Sequence, residues 1–583
     1  MHFRLSKAVG TQYGIFLLTW YYLHDICVST MYLRTTKRTN KDGSTVAYYQ
    51  LAHNERHPIT KKPVAKVIHT FGRADELDRE QLVRLCRSIA RVCSVEIIDR
   101  LDPQVPLTSA GGLPLDFKVH RSYHYGLALL AEILWHQLGM DTVLNTIAKK
   151  NHLRAPYERA LLAMVTNRLC EPNSKLGVWD RWLPTVYLPS CWNLKLEQMY
   201  EAMDFIYEHA EEIEKHIFFT TANLFNLTVD LIFYDTTTAS FSIDQEDDLR
   251  RFGHAKEGSW SPQVVVALAV TPEGLPVKSW VFPGNTADVT TVERIRADLR
   301  GWNLNRAIFV ADAAMNSQQN REELARACGR YLLATRMASI SEVKHEVLGK
   351  RGRYHVISDN LHAKEVVIGD GERRRRYILC YNPQEAARQK KHRAEIVRFL
   401  EAELARHPKP KATAQWAIDL LASLRFKRYL KVSKSTTISI DRGAIRQAAT
   451  YDGKWVIETN DDTITLEDAA HGYKGLMVIE RCFRSLKRTR IKMAPIHHWA
   501  PRRIEAHVKI CVLALLIERL AELRCEKPWS RIKQGLEHLQ IFCFSTAEHR
   551  FFRRNEITAQ VRSLLKSLDI QIPKLVQGLE KLS

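Results

Sequence analysis

Two aspartates stand where apolar stretches end: Asp235 in VDLIFYDTTT and Asp312 in RAIFVADAA. Each stretch reads as a strand buried on both faces, and an aspartate at such an end ordinarily caps the helix that follows. As a pair on neighbouring strands they can do something else. Two carboxylates close enough to repel are tolerated when cations sit between them, and hard oxygen ligands suit Mg²⁺ or Mn²⁺. Two such ions about 3.5–4 Å apart activate an attacking oxygen and stabilise a leaving one in phosphoryl displacement. A third carboxylate, Glu480, comes from HGYKGLMVIERCFRSLKRTRIK, whose pattern predicts one helix. Tyr473, Glu480 and Lys487 are spaced seven and seven there, which places all three on one face of a regular helix. The segment ends in Arg484, Lys487, Arg488, Arg490 and Lys492, a basic stretch suited to phosphate.

The elements that must position these groups follow from the apolar runs. VDLIFYDTTT, PQVVVALAV and LPVKSWVF predict three strands, with Pro-Glu-Gly as a tight turn between the last two. A helix over about Asp288–Arg300, the strand RAIFVADAA, a helix over about Gln318–Ala327 and the strand YLLAT complete the series. The order β-β-β-α-β-α-β is that of a ribonuclease-H-like core. The expected fold is therefore an α/β core of this type over 229–340, interrupted by a basic β-rich insertion over 341–465 and resumed over 466–525 by the helix carrying Glu480. Around it stand a β-containing N-terminal region over 31–105, suited to holding a DNA end, a helical domain over 120–225 and a C-terminal helical region over 526–583. A charged helix around Asp75–Cys93 and a linker over Val105–Phe117 are expected within the first part. Residues 1–30 read as a translated leader ahead of Met31; their apolar run GIFLLTWYY is too short to span a membrane.

The bulk numbers point the same way. Lys and Arg total 86 against 65 Asp and Glu, and the resulting +21 favours a polyanionic partner. The eleven cysteines show no CxxC pair, which suits buried thiols in a reducing cytoplasm rather than a disulfide framework or zinc ribbon. No stretch predicts membrane insertion. His254 and Lys256 in GHAKEG lie in a loop within reach of phosphate, and Trp455 is a lone tryptophan more ordinary as core than as a stacking platform.

Together YDTTTASF, GHAKEGSWSPQVVVALAVTPEGLPVKSWVFPGNT, VADAAMNS and the Tyr473–Glu480–Lys487 helix resemble the DDE transposases of bacterial insertion sequences. The resemblance is to the branch with a Tyr-Arg-Glu-Lys signature, with Leu476 at the arginine position, and it runs from Met31 to about Arg519. It implies metal-dependent strand cleavage and strand transfer in cut-and-paste transposition, with Asp235, Asp312 and Glu480 as catalytic ligands of two ions. Tyr473 and Lys487 would grip the cleaved DNA end. It further implies element ends and target DNA as partners, a homodimer on DNA, and a nucleoid-associated cytoplasmic location. The other expectation is a catalytically inactive DNA-binding relative, for which Leu476 is the mark.

Overall fold

The computed structural model describes residues 31–39, 45–56, 63–73, 118–224, 230–243, 245–254, 260–302, 307–326, 329–407, 411–546 and 548–581. The expected leader, the helix around Asp75–Cys93, the linker over Val105–Phe117 and Lys256 lie outside these residues. The chain divides into two compact units, Met1–Leu115 and Asp116–Ser583.

In the first unit the alternating segments form an antiparallel sheet, β1 (Met31–Thr39), β2 (Thr45–Arg56) and β3 (Pro63–Arg73), with β2 in the middle. Ala52 is buried, whereas Val64, Val67 and Ile68 are exposed.

The second unit opens with β4 (Lys118–His124) and then turns helical: α1 (Gly126–Gln137), α2 (Met140–Lys150), α3 (Tyr157–Cys170), α4 (Leu196–Glu208) and α5 (Ala210–Leu224). The sheet that carries the aspartates follows. It contains β5 (Leu231–Ser240), the short β6 (Arg251–His254), β7 (Trp260–Val270), β8 (Pro276–Pro283), β9 (Ile308–Ala311) and β10 (Arg330–Thr335). Helix α6 (Val292–Gly301) connects β8 to β9, and α7 (Gln318–Ala325) connects β9 to β10. The strands β8, β7 and β5 form an antiparallel meander, and β5, β9 and β10 run parallel. Parallel neighbours require crossover connections, which the two helices supply. Among β5 to β10 the apolar pattern missed β6, a four-residue edge piece paired with β7.

The sheet does not stop at β10. Strands β11 (His355–Ser358), β12 (Leu361–Ile368) and β13 (Arg375–Tyr381) continue it through β16 (Lys454–Thr459), which pairs with both β13 and β10. Between β13 and β16 the chain is mostly helical. It holds α8 (Pro383–Ala405), α9 (Gln415–Ala422), the two-stranded hairpin of β14 (Leu430–Val432) and β15 (Ile438–Ile440), and α10 (Arg442–Thr450), with a small apolar core of its own. The β-prone stretch FKRYLKVSKSTTISIDR thus yields only three-residue strands.

The segment carrying Glu480 is not one helix. It comprises α11 (Leu466–Lys474), α12 (Met477–Arg484) and a π turn over Ser485–Thr489. At the break Leu476 N–H donates to Tyr473 and Ile479 N–H to Leu476, which tightens the chain between the two helices. Helix α13 (Pro501–Cys525) follows and is buried on nearly every side between the helical domain and the sheet. Among the described residues no helix is long and apolar enough to cross a membrane.

The region after α13 departs from the helical expectation. It holds α14 (Trp529–Leu536), β17 (Gln540–Ser545), β18 (His549–Arg554), α15 (Ala559–Ser567) and β19 (Val576–Lys581). Its strands join β4 in a second sheet of order β19-β18-β17-β4. The strand signal is weak: QIFCFS alternates over only six positions, HRFFRR buries Phe552 alone, and β4, which pairs with β17, lies over 400 residues earlier.

Among the described residues a core covers each face of the strands that carry the aspartates. On one face Phe233, Ile308 and Val310 pack with the helical domain, α11, α12 and α13. On the other, Ile232, Tyr234, Phe309 and Ala311 pack with α6 and with Phe218. Alternation thus sorts each strand residue by sequence parity.

Candidate active site

Parity and register bring the two aspartates together. The last recorded pair between β5 and β9 joins Tyr234 to Ala311. Asp235 and Asp312 come next on these adjacent parallel strands, which lie about 4.8 Å apart. Both follow residues of the α6-side core, so alternation turns them toward the face covered by α11 and α12. Asp235 is half-buried and Asp312 exposed. One oxygen of each accepts from the next backbone N–H: Thr236 N to Asp235 Oδ1 at 2.7 Å, and Ala313 N to Asp312 Oδ1.

The loop after Asp312 is fixed by its neighbours. Met315 is fully buried, and its N–H donates to the Asp312 carbonyl at 3.0 Å. Asn316 Nδ2 donates to the Ala334 carbonyl at 3.0 Å and to Thr335 Oγ1 at 3.1 Å. Ser317 caps α7, its Oγ accepting from Asn320 N–H at 3.1 Å.

Glu480 reaches the same face because α11 and α12 lie close on the sheet. A Cβ at Gly472 would meet Leu332 at 3.3 Å, and one at Gly475 would stand 2.6 Å from the Phe233 ring. Ile479, Cys482 and Phe483 are buried, leaving Glu480, Arg481 and Arg484 exposed. At the far side Cys482 Sγ lies 3.5 Å from the Gly274 carbonyl, in the turn between β7 and β8. Gly274 has φ of +83°, and a Cβ there would come within 2.8 Å of Val478. Beyond the π turn, Ser485 Oγ donates to the buried Glu518 of α13 at 2.7 Å.

Tyr473, near the end of α11, feels the charge of all three carboxylates. Burial raises its hydroxyl pKa above the ordinary range, and the charges of Asp312, Glu480 and Asp235 add to that effect. All three therefore lie within electrostatic reach of a single phenol, which keeps its proton. Among the described residues, no group of three or more His, Cys, Asp or Glu side chains is drawn together tightly enough to enclose a metal ion. The donor chemistry nonetheless suits hard divalent cations: carboxylate oxygens, two of them level on adjacent strands.

The remaining basic candidates separate. Arg484 is exposed on α12 and Lys487 is half-buried in the π turn, off the regular helical phase that the spacing assumed. Arg490 turns inward instead, pairing with Glu518 and with Glu522 at 2.9 Å, because the buried Glu518 carboxylate demands a cation. His254 lies on β6, paired with Trp260. Arg488 belongs to the π turn, and its side chain lies outside the description, as does all of Lys256. Leu476 is partly buried against the main core. Trp455 also packs there, as a core residue.

Sequence reasoning missed Asp288, just before α6. Thr236, the residue after Asp235, donates to its carboxylate through Oγ1. Thr291 Oγ1 donates to the Asp288 carbonyl at 2.7 Å, and so accepts from the Tyr234 hydroxyl, also at 2.7 Å. The residues on both sides of Asp235 are thereby tied to one turn. The available signal was the acidic residue following SWVFPGNTA, where the pattern showed only the start of a helix.

Residues 230–517 match the family profile described as Transposase DDE domain, and residues 33–96 match that of the IS1634 family transposase, N-terminal domain. The chain belongs to the DDE transposases of insertion sequences. The matched DDE region of this transposase runs from β5 through most of α13, and so includes Asp235, Asp312 and Glu480. Among solved structures the transposase aligns with a piggyBac transposase synaptic complex with hairpin DNA, determined by cryo-EM. Identity is 8% and the TM-score 0.34, with 71% of this chain and 80% of that one covered. No curated protein sequence matches it.

Proposed function

We propose that this transposase cuts and joins DNA through Asp235, Asp312 and Glu480, on a ribonuclease-H-like core. The observation that carries the reading is the level placement of Asp235 and Asp312 on adjacent parallel strands, on the face that α11 and α12 cover with Tyr473 and Glu480. The order of β8, β7, β5, β9 and β10, a meander followed by two helical crossovers, supports the core assignment.

Asp235, Asp312 and Glu480 would hold two Mg²⁺ or Mn²⁺ ions, which when bound activate the attacking oxygen and stabilise the leaving one. The sheet fixes the two aspartates, and the glycines at 472 and 475 let α11 and α12 bring Glu480 over them. Tyr473 keeps its proton beside these charges, so it serves as a hydrogen-bond donor to phosphate and not as a base. Arg484 and Lys487 continue the phosphate-binding surface along the same segment. The reaction is hydrolysis at the element end, followed by attack of the freed 3′-hydroxyl on target DNA. Pairing two ends calls for a homodimer on DNA, in the nucleoid-containing cytoplasm.

Asp235→Ala tests the assignment. Strand cleavage is expected to fall at least a hundred-fold while end binding measured by mobility shift stays within three-fold, because a ligand is lost and the basic surface is not. Cleavage within five-fold of the parent would remove Asp235 from the triad. Leu476, at the arginine position of the signature, favours a second reading, a DNA-binding relative without catalysis; end binding without cleavage by the parent protein would select it.

A further inference from the structure

A cavity of about 450 Å³ opens against β4, β17 and β18, on elements that carry none of the three carboxylates. That size suits a small organic ligand, for which sites run roughly 300–1,000 Å³. Its walls are aromatic. Tyr123 and Trp192 lie 5.6 Å apart between ring centroids, and Trp192 and Phe552 lie 5.7 Å apart. Trp179 completes the wall from a π turn over Val178–Trp182, and is exposed. Both indole N–H groups are turned away: Trp179 Nε1 donates to the Leu194 carbonyl at 2.8 Å and Trp192 Nε1 to the Val186 carbonyl at 3.1 Å. The two rings therefore line the cavity with carbon and offer it no N–H.

Its polar groups are mainly cationic. Arg121 is exposed on β4, its guanidinium 5.1 Å from the Tyr123 ring centre, and it pairs with no carboxylate among the described residues. Arg550 faces it from β18, only loosely paired with Glu580 at 3.8 Å, both being largely exposed. Cys543 of β17, also in the lining, pairs in register with Arg121 of β4 and with Phe552 of β18, which puts the three side chains on one face of the sheet. His120 is bound through Nε2 to Ser545 Oγ at 2.7 Å. Two guanidiniums against one carboxylate leave the rim positive.

Flat rings beside guanidiniums suit a flat π-system attached to an anion. The geometry points to this cavity as a second DNA contact that takes one unpaired nucleotide, its base against Trp179 and Trp192 and its phosphate at Arg121 and Arg550. The transposase reading supplies only the source, a strand freed from its complement; the contact itself requires no cleavage.

Full-length protein in EDTA, without metal, tests it by fluorescence anisotropy. The probes are a fifteen-nucleotide labelled thymidine strand and a strand of equal length built from abasic units. The parent is expected to bind the base-containing strand at least ten-fold tighter. Arg121→Glu and Trp179→Leu should each reduce that preference at least five-fold, whereas charge reversal at the exposed Lys431 should leave it unchanged. Both altered positions are exposed, so the fold is expected to survive, and circular dichroism checks this. Equal binding of the two strands by the parent, or an unchanged preference in the folded Arg121→Glu protein, would overturn the assignment. Competition by millimolar thymidine monophosphate that abolishes the preference would move the site to free nucleotides and overturn the strand contact. Because cleavage is not read, failure here leaves the carboxylate triad standing, and failure of the triad leaves this test intact.

Discussion

At the residue scale, burial decides which ionisable groups act and which only cost stability. Tyr473 retains its proton because burial, aided by the charges of Asp312, Glu480 and Asp235, raises its pKa, so its hydroxyl is a donor at any working pH. Tyr473→Phe should weaken binding of element ends by roughly ten-fold, the worth of a hydrogen bond to a charged group, with little change in fold. An unchanged Kd would mean the hydroxyl does not meet DNA. Lys175 shows the opposite case. Its ammonium is buried without a hydrogen-bond partner among the described residues, and burial, with the nearby Arg168, lowers its pKa from 10.5 to about 7. Between those values the unfolded chain holds a proton that the folded protein lacks, so stability rises with pH across the window. Below it, both states are charged and the full burial penalty applies. Lys175→Met should therefore raise the melting temperature at pH 7 and flatten its rise toward pH 10; an unaltered slope would contradict this account. The sequence displayed Asp235 and Asp312 plainly, since apolar runs ended at them. It gave no sign of the Asp288 contact or of the inward pairing of Arg490, which depend on partners distant in the chain.

At the element scale, the active face depends on how closely helices approach the sheet. Gly475 lies where a methyl group would meet the Phe233 ring, so Gly475→Ala must lift α12 or move the ring. The expected cost is about 1–3 kcal/mol, as for other overpacked sites. Cleavage should fall more than binding, because Glu480 moves with the helix. Equal cleavage by the two proteins would show that the approach is not what positions Glu480. The five principal strands and their order were legible because buried strands are continuous apolar runs with turns between them. The break between α11 and α12 was not, because Tyr473, Gly475 and Leu476 remain compatible with a regular helical pattern and the interruption arises from packing on β5 and β10. The C-terminal sheet was hidden similarly: its strands are short, and β4, which completes it, is over 400 residues away.

At the scale of the molecule, one continuous sheet joins the aspartate strands to β11, β12, β13 and β16, so the insertion is built onto the core's edge and adds a helical unit beyond it. The net charge of +21 places this structure in a field that attracts DNA of any sequence. Six or more phosphate contacts would weaken binding roughly a thousand-fold between 50 and 200 mM salt, which titration by anisotropy measures. A weak salt dependence would deny the basic surface its role. Whether the three carboxylates cut DNA is read by a single assay. DNA carrying the element's own ends with flanking sequence is incubated with Mg²⁺ or Mn²⁺ and either the parent protein or Glu480→Gln. Metal-dependent nicking at the end junction is expected from the parent alone, with both proteins binding the ends. Equal nicking by Glu480→Gln would show that Glu480 does not serve the reaction.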